Sequence, residues 1–243
     1  MLIACISDLH GNLPALEACV RDAAARGAKR VICAGDMTGY GPFPGEVCRF
    51  LEERGIPAVF GNYDRKVIEV LGKGESAAEG LKSRKRDLLM WAARHLGRAG
   101  RKYLSGLPER LSLRLKGHRI LVTHGSPVSP DDTIYPSITV KGLENKLGGR
   151  RPEILVCGHT HIPFVKKVAG VLAVNCGSAG HPVDGDPRPS YALLRVEENA
   201  RPRARIVRFD YDSGRTIAAL ENRPPFDALR KDFAEGNKMR FLQ

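Results

Sequence analysis

Five short polar motifs, each directly after an apolar run that reads as a strand, constrain this chain more than any other feature. They are Asp8-Leu9-His10-Gly11-Asn12, Gly35-Asp36, Gly61-Asn62-Tyr63-Asp64, Thr123-His124-Gly125 and Gly158-His159-Thr160-His161. Loops at strand ends can bring side chains from distant parts of a chain to one sheet edge. Asp-x-His and His-x-His each place two potential ligands two residues apart, so an extended backbone projects both to one side. Hard and borderline divalent ions accept this mixture of carboxylate, imidazole and amide oxygen, whereas a structural zinc site would favour cysteines. The adjoining glycines allow sharp turns and close approach of backbone to an ion or a phosphate. His95 and His118 stand apart from the motifs, one in a basic helical stretch and one in a hairpin turn, and read as structural.

Between the motifs the first half alternates β-rich apolar runs with amphipathic stretches, an α/β pattern. Strands are expected at 2–7, 30–34 and 57–60, and helices at 13–26 and 45–54. Residues 76–103 read as mostly helical. The second half reads more like antiparallel sheet, with strands at 111–116 and 119–123 around a turn at Gly117-His118, a helix near 138–147, and strands near 154–157, 164–168, 171–175, 191–196 and 203–209. Two packed sheets are the economical arrangement. The 243 residues suffice for one domain, expected over 1–223, with a short amphipathic helix or loose tail over 224–243.

The six cysteines show no C-x-x-C pair, and Cys5, Cys33 and Cys157 lie inside apolar runs, which points to buried reduced thiols. No stretch approaches the ~18 consecutive apolar residues of a membrane span, and no export signal precedes the first motif, so a cytoplasmic protein without membrane contact is expected. The net charge of +12 points to an anionic partner. Much of it is regional: residues 82–119 carry twelve Lys or Arg against Asp87 and Glu109. That segment suits a phosphate-rich substrate, a nucleic-acid footprint or a solvated helix face.

The ordered set of motifs resembles the signature of the calcineurin-like metallophosphoesterase superfamily, in particular its small bacterial and archaeal phosphodiesterase branch. The resemblance covers about residues 1–210, including Gly39-Tyr40-Gly41-Pro42 and the run from Asn175-Cys176-Gly177-Ser178 to Asp186-Pro187-Arg188. It implies an α/β fold of two packed mixed β-sheets flanked by helices, a four-layer αββα sandwich. It also implies two divalent metal ions, manganese foremost, with iron, zinc, nickel and magnesium as alternatives. One ion would be held by Asp8, His10 and His161, the other by Asn62, His124 and His159, with Asp36 bridging. Asp36, Asn62 and Tyr63 would be the catalytic positions, a two-metal-activated hydroxide attacking a phosphate ester in line.

One position departs from the family pattern. Where the family has G-N-H, this chain has Gly61-Asn62-Tyr63, and a phenol is a poorer proton shuttle than an imidazole at neutral pH. Good leaving groups are therefore expected to be favoured. The substrate implied is a small phosphodiester or nucleotide. Two other readings compete: a non-catalytic interaction scaffold of the kind the superfamily contains in the retromer, and a nucleic-acid-associated phosphoesterase. Against the first, no ligand is missing; against the second, the basic segment lacks interleaved aromatic residues for base stacking. Oligomeric state is open.

Overall fold

The computed structural model describes residues 1–221 together with Phe226, Leu229, Arg230 and Phe233, so most of the tail expected over 224–243 lies outside the described residues. Among the described residues nine strands form two mixed sheets. The four-stranded sheet has the order β2 (Arg30–Cys33), β1 (Leu2–Ile6), β8 (Ser190–Arg195) and β9 (Arg203–Arg208). The five-stranded sheet runs β3 (Arg110–Leu115), β4 (His118–Thr123), β5 (Ile154–Cys157), β7 (Val171–Asn175) and β6 (Phe164–Val168).

Period-two alternation sets the layers. Ile3 and Cys5 of β1 meet Ile120 and Val122 of β4 and Ile154 and Val156 of β5 in the core between the sheets. Their neighbours Ala4 and Ile6 face the other way, onto α1 (Leu13–Ala25) and α2 (Pro44–Glu53). On the far side Leu121, Leu155 and Ala173 pack under Leu143 and Leu147 of α6 (Val140–Leu147). Four layers result, because every central strand is apolar on both faces and needs cover on both. Local signals start the helices: the Asn12 side chain accepts from the Ala15 N–H ahead of α1, with Pro14 in the first turn, and Thr139 accepts from Gly142 ahead of α6.

Several expectations need correction. Residues 57–60 form no strand; a single bridge from Cys33 to Ala58 is their only ladder contact among the described residues, since Val59 and Phe60 bond to Cys33 and Pro108 by backbone alone. The second half is not simply antiparallel, because β4, β5 and β7 run parallel and β8 and β9 cross over to complete the first sheet. The β3–β4 turn is Lys116-Gly117 rather than Gly117-His118, with His118 already paired to Leu115. The stretch 76–103 is broken into a 3₁₀ turn, α4 (Ser83–His95) and α5 (Gly97–Ser105). Two helices were not expected, α3 (Asn62–Lys73) and α7 (Ser213–Leu220). All six cysteines are free and buried, and among the described residues no helix is long and apolar enough to cross a membrane.

Candidate metal centre

The C-terminal ends of β1, β2, β4 and β5 and the start of α3 meet at one end of the two sheets. Asp8 and His10 follow β1, Asp36 follows β2, Asn62 opens α3, His124 follows β4, and His159 and His161 follow β5. Backbone bonds lace these loops together: Asp8 N–H to Gly35 O and His10 N–H to Asp36 O, each 2.9 Å, and Gly158 N–H to His124 O at 2.9 Å. Five of the seven residues adopt the left-handed region despite having side chains: Asp8 (φ 55°), His10 (46°), Asp36 (54°), His159 (66°) and His161 (57°). Such conformations cost energy and persist where the surroundings over-determine them. Gly61 and Gly158 are required for space: a Cβ at Gly61 would collide with Asp36, and one at Gly158 with Ser7 and Asp8.

The side chains form two groups that share a carboxylate. His10 Nε2 and His161 Nε2 lie 3.1 Å apart, with Asp8 Oδ1 at 3.8 and 3.2 Å from them. Asn62 Oδ1 lies 3.0 Å from His124 Nε2 and 3.2 Å from His159 Nδ1. Asp36 Oδ2 stands between the groups, 3.7 Å from His10 Nε2 and 3.3 Å from His124 Nε2. Asp8, His10 and His161 form one potential ligand set, and Asp8, Asp36 and His124 another.

Three of the four histidines are oriented from behind. His10 Nδ1–H donates to Thr38 O at 2.9 Å, His124 Nδ1–H to Ala34 O at 2.9 Å, and His161 Nδ1–H to His181 O at 2.6 Å. A carbonyl can only accept, so in the neutral ring each Nε2 carries its lone pair into the cluster, the arrangement that outer partners impose on metal-ligating histidines. Two such nitrogens 3.1 Å apart repel unless a proton or cation lies between them. Asp8 Oδ1 is buried and accepts no hydrogen bond among the described residues. The donor set therefore fits a divalent cation.

Charge is finely divided within the cluster. Burial works to raise the Asp8 and Asp36 carboxyls, but the histidines, His161 foremost for Asp8 and His124 for Asp36, outweigh it together and hold both below the usual range. Burial lowers His10 to about 4 and, with His124 beside it, lowers His159. Burial also opposes charge on His124, yet Asp36 and then Asp8 raise it to about 10. Asp64, the third residue of α3, is lifted to about 7 by burial and by Asp36. It accepts from the Gly61, Met37 and Thr38 N–H groups and the Thr38 hydroxyl, tying the loop that carries Asp36 to the helix that carries Asn62.

Tyr63 is buried beside the cluster. Its N–H donates to Asp36 Oδ1 at 2.8 Å, its hydroxyl bonds to that of Tyr40, and burial pushes its phenol far above the ordinary value. Tyr40 in turn stacks on His181, with centroids 4.6 Å apart. Neither Tyr40 nor His181 was singled out from sequence as a site residue. Both lie in stretches covered by the resemblance, but neither carries the two-residue spacing that marked Asp8 and His10 or His159 and His161 as candidate ligands. His95 and His118 lie away from the cluster, bonded to Trp91 O and to Glu153. A cavity of about 510 Å³ opens over the cluster, lined by Asp36, Asn62, Tyr63 and His159 and also by Lys82, Arg84 and Lys85.

Residues 1–199 match the model of the calcineurin-like phosphoesterase superfamily domain. The chain belongs to that superfamily. Its relatives include phosphodiesterase YfcE of Escherichia coli, 26% identical over 198 residues, covering 77% of this chain and 84% of that one. An uncharacterized protein of Methanocaldococcus jannaschii is 28% identical, with 92% of this chain and 94% of the relative covered. The crystal structure of a metallophosphoesterase from Sphaerobacter thermophilus superposes with a TM-score of 0.78 at 28% identity, over 97% of this chain and 100% of that one. Calcineurin-like phosphoesterases use divalent metals, and this member holds the candidate ligand groups.

Proposed function

We propose that this protein is a dinuclear metal-dependent phosphodiesterase acting on a small phosphodiester or nucleotide. The observation that supports it most is the trio of histidines whose Nδ1 atoms donate to fixed carbonyls while their Nε2 atoms face the Asp8 and Asp36 carboxylates. Asp8, His10 and His161 would hold one ion, Asn62, His124 and His159 the other, and Asp36 both. Manganese is the metal that the family resemblance puts first, with iron, zinc, nickel and magnesium as alternatives. When bound, a pair of such ions lowers the pKa of water and neutralises phosphoryl oxygens.

The chain's own residues supply position. Tyr63 N–H and the Asp64 carboxylate hold the Asp36 loop against α3, so the spacing of the two ligand groups is built in before any ion arrives. The Tyr63 phenol stays protonated and can donate to a phosphoryl oxygen, but it relays protons poorly, so esters with good leaving groups are preferred. Tyr63→His should raise phosphomonoesterase relative to phosphodiesterase activity; an unchanged ratio for matched aryl mono- and diesters would remove Tyr63 from leaving-group chemistry. The main test strips the protein with chelator, restores manganese, counts bound metal and assays bis-p-nitrophenyl phosphate. Two ions per chain with restored turnover is the expected result. Two ions with no turnover of any ester would instead favour the scaffold reading, and failure to bind metal would overturn both.

A further inference from the structure

We propose that Lys85 and Lys82, which line the cavity over the cluster, form a subsite for a second phosphate, so that the substrate carries a phosphate beyond the one attacked. The inference rests on the phosphodiesterase reading above and names the substrate class of that same site. Its basis is the shape and charge of the cavity. At about 510 Å³ it extends from Asp36, Asn62 and His159 to Lys82 and Lys85 at the start of α4, a volume that suits a whole small molecule rather than one phosphate.

Lys85 Nζ lies 5.1 Å and Lys66 Nζ 5.2 Å from the centroid of the Tyr63 ring, so two ammonium groups converge on the residue next to Asn62. Lys66 has Asp131 Oδ1 at 3.9 Å, but Asp131 is also bonded by Arg65. Lys85 is half-buried and makes no ion pair with a carboxylate among the described residues. Burial, and then Lys66, lower its pKa, while Asp36 and Asp131 work to raise it. Holding a partly desolvated cation beside another is costly, and the Asp36 and Asp131 carboxylates offset that cost only in part. The first turn of α4 adds to that cost, since it carries basic residues and no acid at the end of a helix where positive charge is disfavoured. A phosphate beside these groups offsets each of these costs, and ammonium point charges of this kind suit a phosphate dianion.

Arg84 of the basic segment lines the same cavity, but the segment's far end does not. Arg114 and Arg119 line a separate surface pocket with Arg150 and Arg151, at the end of β3 and β4 away from the cluster. Charge at large is therefore not the argument.

The test compares ADP with AMP binding to the manganese-loaded full chain by calorimetry. Wild type should bind ADP about tenfold more tightly than AMP, and Lys85→Ala should erase most of that preference while Lys85→Arg retains it. Arg98→Ala, which removes one exposed charge from α5, should leave the preference intact. Equal ADP and AMP affinities in wild type, or a preference that Lys85→Ala does not touch, would overturn the subsite. A kinetic arm uses diadenosine tetraphosphate against bis-p-nitrophenyl phosphate, where Lys85→Ala should raise KM for the former about tenfold with little change in kcat. If the ADP preference is present but no ester turns over, the subsite stands and the hydrolase reading falls.

Discussion

Asp8, His10, Asp36, His159 and His161 at one end of the sheets, and Lys116 and Ala169 at the other, all hold positive φ without being glycine. At the far end the reason is local. Lys116-Gly117 and Ala169-Gly170 are two-residue connections between β3 and β4 and between β6 and β7, with both residues left-handed, as the twist of a hairpin demands. At the cluster no hairpin exists among the described residues. There the strained residues are the ones whose side chains converge, and the strain is held by backbone bonds between loops from β1, β2, β4 and β5. One backbone state thus serves chain reversal at one end and side-chain aim at the other, and only the second is tied to chemistry.

Asparagine tolerates the left-handed region better than most residues, so the same replacement can be made at both ends with opposite expected outcomes. Asp36→Asn keeps the backbone and an acceptor for the Tyr63 N–H, but removes the charge between the two ligand groups. Manganese-dependent turnover of bis-p-nitrophenyl phosphate should fall about a thousandfold, roughly 4 kcal/mol of transition-state stabilisation, with the circular dichroism spectrum unchanged. Retained turnover would detach the strained residues from function.

A smaller effect should separate close approach from strain. Gly61 has ordinary negative φ, yet its Cα abuts Asp36. Gly61→Ala should cost about 1–3 kcal/mol in denaturant unfolding through overpacking and weaken metal binding with it. A neutral result would mean that the cluster can yield without loss. Smaller again, Ala169→Asn at the far hairpin should stabilise by about 0.5–1 kcal/mol and leave turnover untouched, and destabilisation there would break the distinction between the two ends.

The smallest effect concerns His118, just past the Lys116-Gly117 turn. Burial opposes its charge, but the bond to Glu153 at 2.9 Å, helped by Glu197 O, raises its pKa above 6.5. A histidine raised on folding contributes stability that is complete below 6.5 and lost as pH rises through the folded value. Wild type should therefore lose about 0.5 kcal/mol relative to His118→Gln on going from acid to alkaline sides of that window. Parallel pH profiles of unfolding would show no role for the pair.

Which parts of this were legible follows from how far the determining contacts reach. Strands β1, β2, β4 and β5 could be read because Ile3, Ile32, Val122 and Val156 are buried among apolar neighbours on both faces. The candidate ligands could be read because Asp8 and His10, or His159 and His161, announce themselves by spacing. Helix α3 could not, because its first turn, Asn62-Tyr63-Asp64-Arg65, has the composition of a loop, and what makes it helical is Asp64 accepting from Gly61 and from the distant Thr38. Residues 57–60 have strand-like composition, but the sheet edge beside them offers one bridge. His181 carries no local signal at all: it reaches the site through the His161 Nδ1–H bond to its carbonyl and the Tyr40 ring stacked on its own.

Strand β1 is flanked by β2 on one side and by β8 on the other, in the register Leu2 to Arg195. On the ribosome, then, the first strand made must wait for one of the last. At about 5–20 residues per second, the interval is roughly 10 to 40 s, during which one edge of β1 can pair only transiently. The candidate ligands from Asp8 to His161 will all have been synthesised before the sheet that anchors the first of them is complete. Nascent chains stalled short of β8 should accordingly leave the β1 amides open to hydrogen exchange, and protection there at that length would show that β2 alone can seat the strand.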